Sequence, residues 1–140
     1  MTDSIFLDAS FWVAYRDEDQ VNHAAAKRVL ANLFRQRLRF TTTFAVLCEI
    51  QATFSRKNRI RAQILEDLWN NPLVKIERIS HQDESAAIEI LRANSDKSYS
   101  LCDTLSFVVM RRLNMSRALT FDRHFRQFGE FEIIPGNIFP

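Results

Sequence analysis

Ile5-Phe6-Leu7-Asp8 stands near the start of the chain and Ala118-Leu119-Thr120-Phe121-Asp122 near its end. Each is a short apolar run that stops at an aspartate, the pattern of a strand buried on both faces. Working outward, Leu38–Thr42 reads as a further strand rich in Thr and Phe. Leu73–Ile79 alternates, with Val74 and Ile76 set against Lys75 and Glu77, which predicts a strand with one covered face at a sheet edge. Phe131–Ile134 completes the sheet before Pro135. Helical periods fill the intervals. A short helix follows Ser10, read as its N-cap, and a second opens at Asn22 and buries Val29, Leu30, Leu33 and Phe34. Phe44–Arg56 buries Val46, Leu47, Ile50 and Phe54. Asn58–Asn70 sets Ile64, Leu65, Leu68 and Trp69 on one side and is stopped by Pro72. Ser80 with Asp83, and Ser100 with Asp103, are spaced as capping pairs. They precede helices running through Leu91 and from Leu101 to Leu113, the latter with Leu105, Val108 and Val109 in the core. This alternation predicts an α/β fold: a three-layer α/β/α sandwich around a mostly parallel sheet of about five strands. At 140 residues the chain fits a single domain over 1–140.

Composition removes several functions. The only glycines are Gly129 and Gly136, so neither a phosphate-cradling loop nor a GxSxG elbow can be built. The net charge of +2 is too small to indicate nucleic acid by itself. Arg56, Lys57, Arg59 and Arg61 are nevertheless crowded together, and Arg111, Arg112, Arg117, Arg123 and Arg126 recur late. These cations are either solvated faces or a rim that contacts phosphate. Cys48 and Cys102 lie in apolar helical surroundings, which predicts reduced, buried thiols. With neither a signal peptide nor a membrane span in the pattern, the expectation is a cytoplasmic protein.

Asp8 and Asp122 end neighbouring buried strands, and in an open parallel sheet ligands bind beyond the carboxyl ends of strands where strand order reverses. Asp103 lies in the first turn of its helix and Glu49 in an early turn of the helix after the second strand, so both start from that same edge. Each acid has a plain structural reading. Asp8 and Asp122 can cap the turns that follow them, Asp103 can partner Ser100, and Glu49 can be a solvated helix residue. Taken together, four anions at one edge repel strongly unless a cation neutralises them. Carboxylates without His or Cys ligands suit Mg²⁺ or Mn²⁺. His23, His81 and His124 are too scattered for a zinc signature, and His124 reads as a surface imidazole. Ser10 and Thr104, each close to an acid, are assigned supporting hydrogen bonds.

These residues resemble the PIN-domain ribonucleases, and within them the VapC-type toxins of bacterial toxin–antitoxin pairs. The matching segments are Ile5-Phe6-Leu7-Asp8-Ala9-Ser10, Thr42–Glu49, Asp96-Lys97-Ser98-Tyr99-Ser100-Leu101-Cys102-Asp103, and Leu119-Thr120-Phe121-Asp122-Arg123-His124-Phe125, in the family's order along essentially the whole chain. The resemblance makes Asp8, Glu49, Asp103 and Asp122 the catalytic, metal-binding acids, with Asp96 an auxiliary acid. It implies a Mg²⁺- or Mn²⁺-dependent endoribonuclease that forms a homodimer and is blocked by a small antitoxin. Arg56, Lys57, Arg59 and Arg123 would then contact the RNA backbone. Ala9 departs from the pattern, since many relatives carry Thr there; Ser10 is the residue that can supply the hydroxyl.

Other acid-lined α/β enzymes fit less well. A haloacid-dehalogenase-type phosphatase needs an Asp where Ser10 stands, and a receiver domain needs a late Lys, whereas no Lys follows Lys97. The remaining alternatives are a housekeeping RNA-processing nuclease and a non-catalytic RNA- or protein-binding module on the same fold.

Overall fold

Ile5, Phe6 and Leu7 have no exposed surface because their strand, β1 (Ser4–Leu7), lies at the centre of the sheet. The computed structural model describes residues 4–136. Within them β2 (Arg39–Thr43), β3 (Val74–Glu77), β4 (Arg117–Leu119) and β5 (Glu132–Ile134) join β1 in one all-parallel sheet of order β3-β2-β1-β4-β5. The alternating strand takes an edge, as its pattern predicts. Apolar residues on both faces of β1 and β4 require cover on both sides, and the helices supply it. From β1 the chain steps outward twice, through α1 (Ala9–Arg16) and α2 (His23–Arg35) to β2, then through α3 (Phe44–Thr53) and α4 (Asn58–Ile64) to β3. It then crosses back through α5 (His81–Ala93) and α6 (Leu101–Arg112) to β4 and steps on through α7 (Arg123–Phe128) to β5. With right-handed crossovers, the reversal puts α1–α4 on one face and α5–α7 on the other. The predicted three-layer sandwich is the observed fold.

Helix starts follow the chemistry of the first residues. Thr43 caps α3, and Ser80 and Ser100 form complete capping boxes with Asp83 and Asp103. The cap of α1 is Asp8, not Ser10: the Asp8 side chain accepts the Ser10 N–H, which starts the helix directly at the end of β1.

Three packing expectations fail for local reasons. Asn58–Asn70 is not one uniform helix, because after Ile64 the backbone widens into a π turn, Leu65–Trp69. Ile64 and Leu68 stay buried, while Leu65 and Trp69 rotate out to 41% and 48% exposure. The π turn carries Asp67 to α1, where it receives Trp12 Nε1 and the Arg16 guanidinium. Phe34 stands at the margin of its helix face and is 45% exposed. Leu105 is only half-buried, and Ser106, Phe107 and Met110 fill the core beside Val108 and Val109.

Candidate active site: a carboxylate crevice

The neighbours of β1 lead the chain in opposite directions, so the carboxyl ends of β1 and β4 form the switch point of the sheet. Asp8 follows β1 directly. Its Oδ2 accepts the Ser10 hydroxyl at 2.6 Å, the Thr120 hydroxyl at 2.7 Å and the Ser10 N–H at 3.3 Å. Those hydroxyls in turn accept backbone N–H groups, Thr120 Oγ1 from Asp122 and Ser10 Oγ from Phe121, both at 2.9 Å. The end of β4 is thereby tied to the end of β1. Asp122 caps α7 by accepting the His124 N–H at Oδ1. Asp103 accepts the Ser100 N–H at Oδ2, and Glu49 Oε2 accepts the Cys102 thiol at 3.4 Å.

Capping and an outward role are compatible here. Each aspartate spends one oxygen on its turn, and no hydrogen bond among the described residues uses Asp8 Oδ1, Asp103 Oδ1 or Asp122 Oδ2. Asp8, Glu49, Asp103 and Asp122 line one crevice of about 350 Å³, with Ser10, Gln20 and Asn22 on its wall.

The electrostatics register this crowding. Burial pushes Asp8 up to about 6; the Ser10 and Thr120 hydrogen bonds resist the rise, and the charges of Asp122 and Asp103 add to it. Glu49 is raised by burial and then by Asp8 and Asp122, and Asp103 by burial and then by Asp122. Burial and the nearby Glu49 carboxylate keep the Cys102 thiol protonated, so it serves as a donor and not as a nucleophile.

Against the sequence expectation, His124 is not a surface imidazole. Its side chain is 18% exposed, with Nδ1 at 3.0 Å from Asp122 Oδ1 and 3.1 Å from Asp103 Oδ2. Although both oxygens are within ion-pair distance, that buried nitrogen makes no hydrogen bond, being in line with neither. Asp103, Asp122 and His124 present ligand atoms all within 4.8 Å of one another. Crowded hard oxygen donors around an orphaned buried nitrogen fit a divalent cation. Thr120 is a second site residue that the sequence pattern does not single out. The signals that mark the two are a hydroxyl at the end of an otherwise apolar strand and a ligand-type residue two positions after a capping acid.

Other assignments separate. Ser10 hydrogen-bonds Asp8, whereas Thr104 is fully buried and turns its hydroxyl to the Leu101 carbonyl. Asp96 stands outside the crevice lining, 74% exposed and paired with Lys97. Arg56 and Lys57 are exposed in the α3–α4 turn, Arg59 is exposed in the first turn of α4, and Arg123 is exposed beside Asp122. Arg61 belongs to the scaffold, bonding Gln51, Asn58 and the Ser55 carbonyl. Arg111 pairs with Glu130 and Arg112 with Asp83, so these two are fold contacts and not a phosphate rim. Both cysteines are free, and Cys48 is exposed, not buried.

The PIN domain family model matches residues 5–130. The chain belongs to the PIN-domain family. Within it, this PIN domain is 30% identical over 132 residues to the 23S rRNA-specific endonuclease VapC20 of Mycobacterium tuberculosis, covering 94% of this chain and 98% of that protein. The crystal structure of that VapC20, described as a Sarcin-Ricin loop cleaving toxin, superposes with a TM-score of 0.82 at 29% identity, over 91% of this chain and 97% of the other. VapBC2 from Rickettsia felis, bound to a DNA fragment from its promoter, shares the fold with a TM-score of 0.65 at 14% identity, over 93% and 96% of the two chains. The resemblance to VapC-type PIN-domain ribonucleases is borne out, and PIN domains are metal-dependent nucleases. No helix among the described residues is long and apolar enough to cross a membrane.

Proposed function

We propose that this PIN domain is an endoribonuclease toxin that hydrolyses RNA phosphodiesters at the carboxylate crevice, with Asp8, Glu49, Asp103 and Asp122 holding Mg²⁺ or Mn²⁺. The observation that carries this reading is the meeting of four acids, three of them raised by burial and by one another, at the switch point of the sheet. When bound, the cation neutralises charge developing on the phosphate and supplies water of lowered pKa. The chain's own residues prepare the site. Ser10 and Thr120 fix the Asp8 carboxylate through Oδ2 and leave Oδ1 for the crevice. The capping bonds of Asp103 and Asp122 fix those carboxylates at the ends of rigid helices. Glu49, held at Oε2 by Cys102, retains Oε1 to orient the attacking water and take its proton.

RNA is the proposed substrate, and ribosomal RNA the first to test, because the relative VapC20 is named for cleaving 23S rRNA. Arg56, Lys57, Arg59 and Arg123 would steady its backbone. Lys57 lines a cavity of about 330 Å³ of mixed charge, with Arg16 and Lys27 set among Asp17, Glu18 and Asp19, alongside the helix α1 whose Val13 and Ala14 line the acid crevice. A small antitoxin that lays a cationic side chain against the acids is the proposed inhibitor, and a homodimer in a cytoplasm that keeps both thiols reduced is the proposed setting.

Expression of the protein alone should arrest growth, Asp103→Asn should relieve the arrest, and co-expression of the adjacent small gene should relieve it too. Unchanged growth, together with absence of RNA cleavage by the purified protein, would instead favour a binding module on this fold.

A further inference from the structure

His124 does not line the crevice itself, but its Nδ1 lies against Asp103 and Asp122, which do, and offers what the acids lack, a nitrogen. We propose that His124 Nδ1 is a ligand of the cation held there and biases the site toward Mn²⁺ over Mg²⁺. This rests on the reading of the crevice as a cation site. Three features of the residue carry it.

The first is the orphaned nitrogen. An imidazolium serving only as counter-charge would aim its N–H at one carboxylate, yet Nδ1 is buried, lies 3.0 and 3.1 Å from two carboxylate oxygens, and is in line with neither. The second is spacing. Neighbouring ligands on an octahedron with bonds of about 2.1 Å stand about 3.0 Å apart, close to both separations; the two oxygens are the ones that also accept the helix caps, each with a second lone pair left over. The third is the far side of the ring. Nε2 lies 2.8 Å from the Ser98 hydroxyl. With Nε2–H donating to Ser98, Nδ1 carries the lone pair, the arrangement by which ligating histidines are held in one tautomer. Tyr99 packs against the imidazole edge-on, with centroids 5.6 Å apart, and limits its rotation.

A nitrogen donor adds more to binding of a transition ion than of Mg²⁺, which prefers oxygen and retains water. Asp122, whose cap starts α7, thus also places the second ligand, by bonding the His124 N–H.

The test is pulsed EPR on full-length protein labelled with ¹⁵N-histidine and loaded with Mn²⁺. Hyperfine coupling to a histidine nitrogen is expected in the wild type and should vanish in His124→Asn, which puts an amide near the same point. In the same variant the ratio of Mn²⁺ to Mg²⁺ affinity should fall about tenfold or more, and Ser98→Ala should weaken Mn²⁺ binding by about tenfold. Bound Mn²⁺ without nitrogen coupling, or coupling that survives in His124→Asn, overturns this inference and leaves the acidic cation site standing. Failure of Mn²⁺ to bind at all overturns both.

Discussion

The two ends of the same strands are opposites. At the carboxyl edge, buried Asp8 and Asp103 stand with half-buried Asp122 and exposed Glu49 around a crevice of about 350 Å³, and every acid there is held by a hydrogen bond. At the amino edge a larger cavity, about 630 Å³, is ringed by Arg39, Lys75 and Arg117 over an apolar floor that includes Phe40 and Met115. Its charges are spread out. Arg39 is exposed, Lys75 lies 3.7 Å from Glu77, and neither arginine has an ion pair among the described residues. Size therefore does not mark the working site. The carboxyl edge forces like charges together, two of them out of water, and fixes them in place, an arrangement that lowers stability and that the fold alone does not require. The amino edge lets like charges separate into solvent.

The largest effect that can break this contrast is at Asp8. Asp8→Asn should lower RNA cleavage by roughly a thousandfold or more, a loss of about 4 kcal/mol of transition-state stabilisation. The same change should stabilise the metal-free protein. Asp8 titrates near 6 when folded against an ordinary 3.8, so the folded state binds the extra proton between those values. Wild-type stability should accordingly fall as pH rises from about 4 to about 6, and above that window the penalty approaches about 3 kcal/mol. Thermal denaturation of both proteins across this range reads it directly. A metal-free Asp8→Asn protein that is less stable at pH 7 would make Asp8 a structural cap and nothing more.

A smaller effect sharpens the role of the hydroxyl ring. Thr120→Val removes a donor to Asp8 and an acceptor for the Asp122 N–H, and kcat should drop roughly tenfold with the fold intact. Neutralising Arg56 and Lys57 together should leave kcat in place and weaken binding of all RNAs alike. The slope of log affinity against log salt should flatten by about 0.7 per lost contact. An unchanged slope makes that turn a solvated face. The smallest effect belongs to the amino edge. Arg39→Ala combined with Arg117→Ala should keep cleavage within about twofold, since surface changes there remove no paired charge. A collapse of activity in that double variant would erase the contrast between the two edges.

How much of this was legible in the sequence depended on whether the signal was local. The apolar runs before Asp8 and Asp122, the alternation around Val74 and the capping spacings of Ser80 and Ser100 each contain their own reason, and the strands and helix starts follow them. The convergence of the acids was legible too, because parallel topology sends every strand end to one edge. What was hidden depended on distant partners. Nothing near Leu65 announces that Asp67 will be drawn to Arg16 and Trp12, so the π turn and the exposure of Trp69 could not be read. Arg111 and Arg112 look like a basic rim until Glu130 and Asp83 are brought to them. A lone histidine such as His124 carries no spacing signature; only the meeting of α6 and α7 brings it against two carboxylates.

The most direct test of the carboxylate crevice as a metal-dependent RNA-cleaving centre is cleavage of ribosomal RNA by the purified protein, with Mn²⁺ added and then removed. Wild type should cut with Mn²⁺, stop in excess EDTA and resume when Mn²⁺ is restored, while folded Asp103→Asn should not cut under any of these conditions. Undiminished cleavage in excess EDTA, or by Asp103→Asn, would contradict the account.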